Sequence, residues 1–237
     1  MLKKMIKYGI VAACVCMIMA TGAMAADTTA TDMSHARVMP QEYIDAIKDN
    51  DPLRNFVPPD VNFMCEPLIT RSITISVPVT EPCDQVWRET YPDNWMWQAN
   101  RAVYNAAEPL SRFGIQYYSV SQKYWDSSSI TSSGLVSEAK REWGLRDNAS
   151  LMVAFTGKTY DGVMGQVLDI GEPYIIVFDY GFEENKMTVL HETGHSYGLK
   201  HCAYGTDCAM SEAAPLSTFE SLCSDHVSDW EDAKNIY

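Results

Sequence analysis

The chain reads His-Glu-Thr-Gly-His-Ser-Tyr-Gly-Leu-Lys-His over residues 191–201. His191 and His195 are four apart in a stretch of helical pattern, so both imidazoles project from one helix face about a turn apart. That span suits two bonds to a single metal ion. Glu192 stands next to the first histidine, where its carboxylate can reach a water on that ion. Gly198 follows one turn later and can take a left-handed conformation that ends the helix in a sharp bend. The bend returns His201 as a third ligand. Three neutral nitrogens leave a fourth position open, the layout of a catalytic zinc site rather than a structural one. Only His35 and His226 lie outside this stretch, and His35 reads as a solvated residue.

The 25 residues downstream of it carry Cys202, Cys208 and Cys223 with His226. A Cys₃His set suits a closed tetrahedral structural zinc site. Disulfides are the other reading, with Cys202–Cys208 and Cys65–Cys223 as candidate pairs. Cys65 and Cys83 flank a strand of about 26 Å, so a bridge between them requires both flanks to fold back along it.

Upstream, the pattern is that of a layered domain over residues 68–237. Ile73, Ile75, Val77 and Val79 alternate with polar residues as in a strand, and Pro78 suggests that strand's end or an edge position. Trp95, Ala99, Ala102, Val103, Ala106 and Leu110 recur at helical spacing, with Asp93 as cap and Gly114 beyond the end. Residues 115–121 read as a second strand and 135–143 as a helix ended by Gly144. Residues 151–155 and 174–180 are near-continuous apolar runs, the mark of interior strands. Residues 163–170 alternate weakly between glycines. A helix starts near Glu183 with Met187, Leu190, His191 and Gly194 on one face, and residues 225–236 form a last helix. The order predicts an α/β (α+β) fold. Trp87, Trp95 and Trp97 read as packing residues. Asn148-Ala149-Ser150 fits a glycosylation acceptor.

The first 25 residues read as a signal peptide: Lys3, Lys4 and Lys7, an apolar run, then Ala23-Met24-Ala25 before a cleavage point. Val11-Ala12-Ala13-Cys14 resembles a lipoprotein box, so secreted, lipid-anchored and signal-tethered forms are all compatible with export. Residues 26–67 are rich in Thr, Asp, Met and Pro and read as an arm or linker, with a short helix around 41–48. Cys65 within it offers a thiolate that could cap a catalytic metal. The formal charge is −13, from 18 Lys+Arg and 31 Asp+Glu. Such a body repels phosphate backbones and anionic lipid, which excludes nucleic-acid and membrane-surface roles, and no stretch is long enough for a stable membrane span once the signal is cleaved.

The pattern H-E-x-x-H-x-x-G-x-x-H resembles that of the metzincin clan of zinc metallopeptidases. Met210, nine residues after His201, stands where the clan carries a methionine turn beneath the metal. The order of elements is similar to the clan's mixed five-stranded sheet, with a backing helix, an active-site helix and a C-terminal helix. Cys202 directly after His201 is most similar to the archaemetzincins, whose extra cysteines bind a second, structural zinc. The chain departs from them by the five residues between Cys202 and Cys208, by a short stretch from Met210 to Cys223, by His226 in place of a last cysteine, and by export. The resemblance implies a Zn²⁺ peptidase acting on peptide or protein substrates, with Glu192 as general base. It also implies that residues 163–170 form an edge strand able to pair with substrate. A catalytically silent zinc-binding module and a zinc hydrolase of non-peptide amides share the same residues.

Overall fold

The computed structural model describes residues 37–38 (backbone), 75–159, 162–203, 206–212 and 221–237. The signal-peptide reading, the helix around 41–48, Cys65 and His35 fall outside the described residues. The elements are β1 (Arg37–Val38), β2 (Ile75–Asp84), α1 (Gln85–Thr90), α2 (Trp95–Ala106), a 3₁₀ turn (Glu108–Phe113), β3 (Ile115–Trp125), α3 (Ser132–Glu142), β4 (Leu151–Thr156), β5 (Val163–Val167), β6 (Tyr174–Phe178), α4 (Phe182–Ser196) and α5 (Ser224–Ala233). All belong to one compact unit, Asp32–Tyr237. Among the described residues no helix is long and apolar enough to cross a membrane.

The sheet runs in the order β1-β5-β6-β4-β2-β3. β2 pairs parallel with β3 and β4, and β4 pairs parallel with β6, while β5 is antiparallel to β6. The mixed five-stranded sheet expected from the sequence is present, with the two residues of β1 added to its outer edge. The apolar runs of β4 and β6 follow from burial on both faces. Leu151, Val153, Phe155, Ile175 and Val177 join the core beneath α2 and α4. Met152, Ala154, Ile176 and Phe178 pack on the opposite face with Leu135, Val136 and Ala139 of α3. A strand covered on both sides has no polar face to show.

Several boundaries differ from the sequence reading. β2 does not end at Pro78, and it is not an edge strand. The Pro78 carbonyl accepts from Ser150 N at 2.8 Å, so this residue faces the side on which the β4 ladder only begins, at Val79 and Leu151. A missing N–H costs no ladder bond there. α1 was not legible from periodicity: Asp84 caps it, accepting from Trp87 N at 2.8 Å. The next helix starts after Asn94 rather than Asp93. It closes at Ala106 because Pro109 cannot continue an α-helix, and Leu110 belongs to the 3₁₀ turn that follows. β5 stops at Val167.

One buried carboxylate sets a pH response of the fold. Glu81 on β2 is fully buried, and Gln122 Nε2 donates to its Oε2 at 2.6 Å. Desolvation pushes its pKa up from 4.5 to about 8, against hydrogen bonds from Gln122, Ser119 and Asn100. The folded chain therefore holds a proton that the unfolded chain has released. Between about pH 4.5 and 8 this group makes stability fall as pH rises, by up to about 1.4 kcal/mol per pH unit. Glu81→Gln should flatten that slope and raise the melting temperature at pH 8 more than at pH 5. Equal shifts at both pH values would contradict it.

Candidate metal centre

Helix α4 is enclosed between α2 and strands β5 and β6, and its residues from Met187 to Ser196 are all buried. Its end is a Schellman closure: Leu199 N donates to Gly194 O at 3.0 Å and Gly198 N to His195 O at 2.9 Å. Gly198 sits at φ 90°, the left-handed value that the closure needs. The chain then turns back, and His201 faces the helix.

The three histidines meet. Their Nε2 atoms stand 3.0 Å apart for His191–His201 and 3.1 Å for both His195–His191 and His195–His201. The opposite ring nitrogens fix the tautomers of two of them. His191 Nδ1 donates to Ala209 O at 2.8 Å, and His195 Nδ1 donates to Leu199 O at 2.8 Å. With Nδ1 carrying the proton, Nε2 presents a lone pair. Lone pairs facing one another at such distances repel unless a cation lies between them. Tetrahedral zinc with nitrogens at about 2.0–2.1 Å spaces them about 3.3–3.4 Å apart, slightly wider than this triangle. Nδ1–H to a backbone carbonyl is also the usual partner of a metal-bound histidine. These residues fit a metal of the zinc type.

Glu192 is buried on the same helix, and β5 lies against it. A Cβ on Gly165 would stand 3.0 Å from Glu192 Cγ and 2.3 Å from Thr188 Cγ2. Only glycine lets the strand approach this closely. Gly165 was not singled out from the sequence, since a glycine inside an apolar strand signals a close backbone approach but not what approaches.

Met210 is fully buried beneath the helix. A Cβ on Gly194 would fall 2.3 Å from Met210 Sδ and 2.7 Å from its Cε. The turn that carries Met210 is pinned by Cys202 N donating to Met210 O and Ser211 N to Cys208 O. Met210→Leu should cost under about 1.5 kcal/mol, a volume-conserving swap. Gly194→Ala should cost more, about 1–3 kcal/mol of overpacking. Combining Met210→Ala with Gly194→Ala should then cost less than the sum of the two single changes, a coupling that urea melts of the four species measure. Additive costs would mean that the two residues do not touch.

The second group also converges. Cys202 Sγ lies 3.7 Å from Cys223 Sγ, and His226 Nδ1 lies 3.1, 3.5 and 3.2 Å from the sulfurs of Cys202, Cys208 and Cys223. Cys202, Cys208 and Cys223 are all free thiols, as is Cys83; the Cys202–Cys208 disulfide is therefore absent from this structure. His226 Nε2 donates to Lys200 O at 2.9 Å, which turns Nδ1 toward the sulfurs. Burial, and then Cys208 and Cys223 beside it, push the Cys202 thiol well above its ordinary range. Zinc with sulfur at about 2.3 Å spaces sulfurs about 3.8 Å apart, near the distance observed. A cavity of about 760 Å³ opens beside this group, lined by His201, Lys200 and the acidic Asp225, Asp229 and Asp232 of α5.

No family model matches the sequence, and no curated protein does. Among solved structures, metalloproteinase-II from Bacteroides fragilis is similar over 80% of this chain and 60% of its own, with a TM-score of 0.50 and 12% identity. A chain described as belonging to a chaperone–substrate complex aligns over 61% of this chain and 28% of its own, at 13% identity and a TM-score of 0.45. The chain thus spans less than two thirds of the length of either structure. At these identities the likeness concerns fold alone, and it gives this chain a metalloproteinase-like fold.

Proposed function

We propose that the chain is an exported zinc-dependent peptidase of metzincin type, closest in its residues to the archaemetzincins. The observation that carries this reading is the triangle of Nε2 atoms at 3.0–3.1 Å, with Glu192 buried on the helix that carries two of the three rings. His191, His195 and His201 would hold the zinc. When bound, zinc brings its water's pKa near neutrality and polarises a carbonyl. Glu192 takes the proton from the attacking water and passes it to the leaving amine as the peptide bond breaks. Ala209 O and Leu199 O hold two of the rings in the tautomer that offers Nε2. Cys202, Cys208, Cys223 and His226 would hold a second, structural zinc; the free thiols and the Nδ1 distances favour it over disulfides. Glu192 at this position favours hydrolysis over a silent binding module, which needs no general base.

The test is digestion of a peptide library by the zinc-loaded chain, followed by mass spectrometry. Cleavage should stop with chelator and return with added zinc. A library left intact under all conditions, by folded protein holding zinc, would remove the peptidase reading.

A further inference from the structure

The outer edge of β5 is not bare: Arg37–Val38 pairs with it antiparallel, Arg37 opposite Gly165 and Val38 opposite Val163. Those two residues lie 37 positions or more upstream of the next described element, β2, which starts at Ile75. They therefore reach β5 from the N-terminal arm, not as a hairpin partner. Their place is specific. Gly165 is the residue whose α-carbon faces Thr188 and Glu192. The arm backbone opposite it stands one strand spacing away, about 4.8 Å. β1 also lies close to helix α4 itself.

An exposed strand edge beside a hydrolytic centre takes an extended peptide by adding it as a further strand, with main-chain bonds giving affinity. This edge demonstrably accepts an antiparallel strand, and the strand it accepts is the chain's own. A peptide bound along Val163–Gly165 and the arm at Arg37–Val38 would need the same backbone groups of β5. We infer that the N-terminal arm occupies the peptide-docking edge of the proposed centre in cis, and that a peptide substrate must displace it. The inference rests on the peptidase reading for its consequence in turnover, but the occupancy itself does not.

Two prolines, Arg37→Pro with Val38→Pro, remove both N–H donors of the arm strand without touching the centre. The probe is a fluorescent peptide copying residues 32–43. Its binding is read by anisotropy in a Glu192→Gln background, which keeps the probe intact. The double-proline chain should bind it at least ten-fold more tightly than the chain with its native arm. In the Glu192 background the same change should raise kcat/KM on library peptides at least five-fold, mainly through KM. Hydrogen exchange supplies a readout that needs no probe. The β5 amides that face the arm, within Val163–Gly165, should exchange at least ten-fold faster in the double-proline chain than in the native-arm chain, while those bonded to β6 exchange at the same rate in both. Equal probe affinity in the two chains, or unchanged exchange along β5, would overturn the inference. A released edge with no rise in kcat/KM, in a chain that does cleave peptides, would overturn it as well. If no chain cleaves peptides while the released edge still binds the probe more tightly, the peptidase reading falls and the cis occupancy stands.

Discussion

Glu192→Gln should keep the full complement of metal and lose at least about 10²-fold in peptide hydrolysis. The amide is nearly isosteric, so the packing of α4 on β5 at Gly165 persists. What disappears is the capacity to accept a proton, and general-base catalysis of this type contributes about 10²–10⁴-fold. Metal analysis separates this from a ligand loss. His201→Ala should lower metal content, because His201 is the one ring of the three that lies outside helix α4 and is brought in only by the bend at Gly198. Near-normal turnover in Glu192→Gln would sink the assignment of the base. Unchanged metal in His201→Ala would remove it from the ligand set.

The second large effect concerns the Cys₃His group. Cys223→Ser should release one of two metal ions per chain and lower the melting temperature, while the far-ultraviolet signature of the sheet persists. At a free metal level of 100 times Kd, a site that exists only in the folded chain adds about 2.7 kcal/mol. For a chain of this size that is roughly 5–10 °C. His191→Ala should release the other ion and leave this one in place. A wild-type chain that binds a single zinc with all three thiols still titratable would exclude the second site.

Much of the fold and of the candidate site was legible because each rests on local spacing. The i, i+4 histidines, the left-handed Gly198 and the two-faced apolar runs of β4 and β6 carry their meaning within a few residues. What escaped depends on distant partners. Pro78 reads as a strand end until Ser150 is seen to meet its carbonyl. Helix α1 has too few residues for periodicity and is held by the Asp84 cap. Gly165 and Gly194 look like weak points of a strand and a helix until Glu192 and Met210 are placed against them. The pairing of Arg37–Val38 with β5 joins segments about 125 residues apart, a distance no motif spans.

His201 and Cys202 are consecutive, and His226 hangs from the carbonyl of Lys200 just before them. Three successive residues thus link a ring of one metal group to a sulfur and a backbone anchor of the other. Ordering this tripeptide for one ion leaves less conformational freedom to be lost when the other binds. The two sites should therefore load with positive cooperativity. By linkage, the factor by which zinc at the Cys₃His group tightens the histidine site must equal the factor in the opposite direction. A calorimetric titration of metal-free chain would show it as an isotherm steeper than two independent sites allow, and Cys223→Ser would return the histidine site to its lower, solitary affinity.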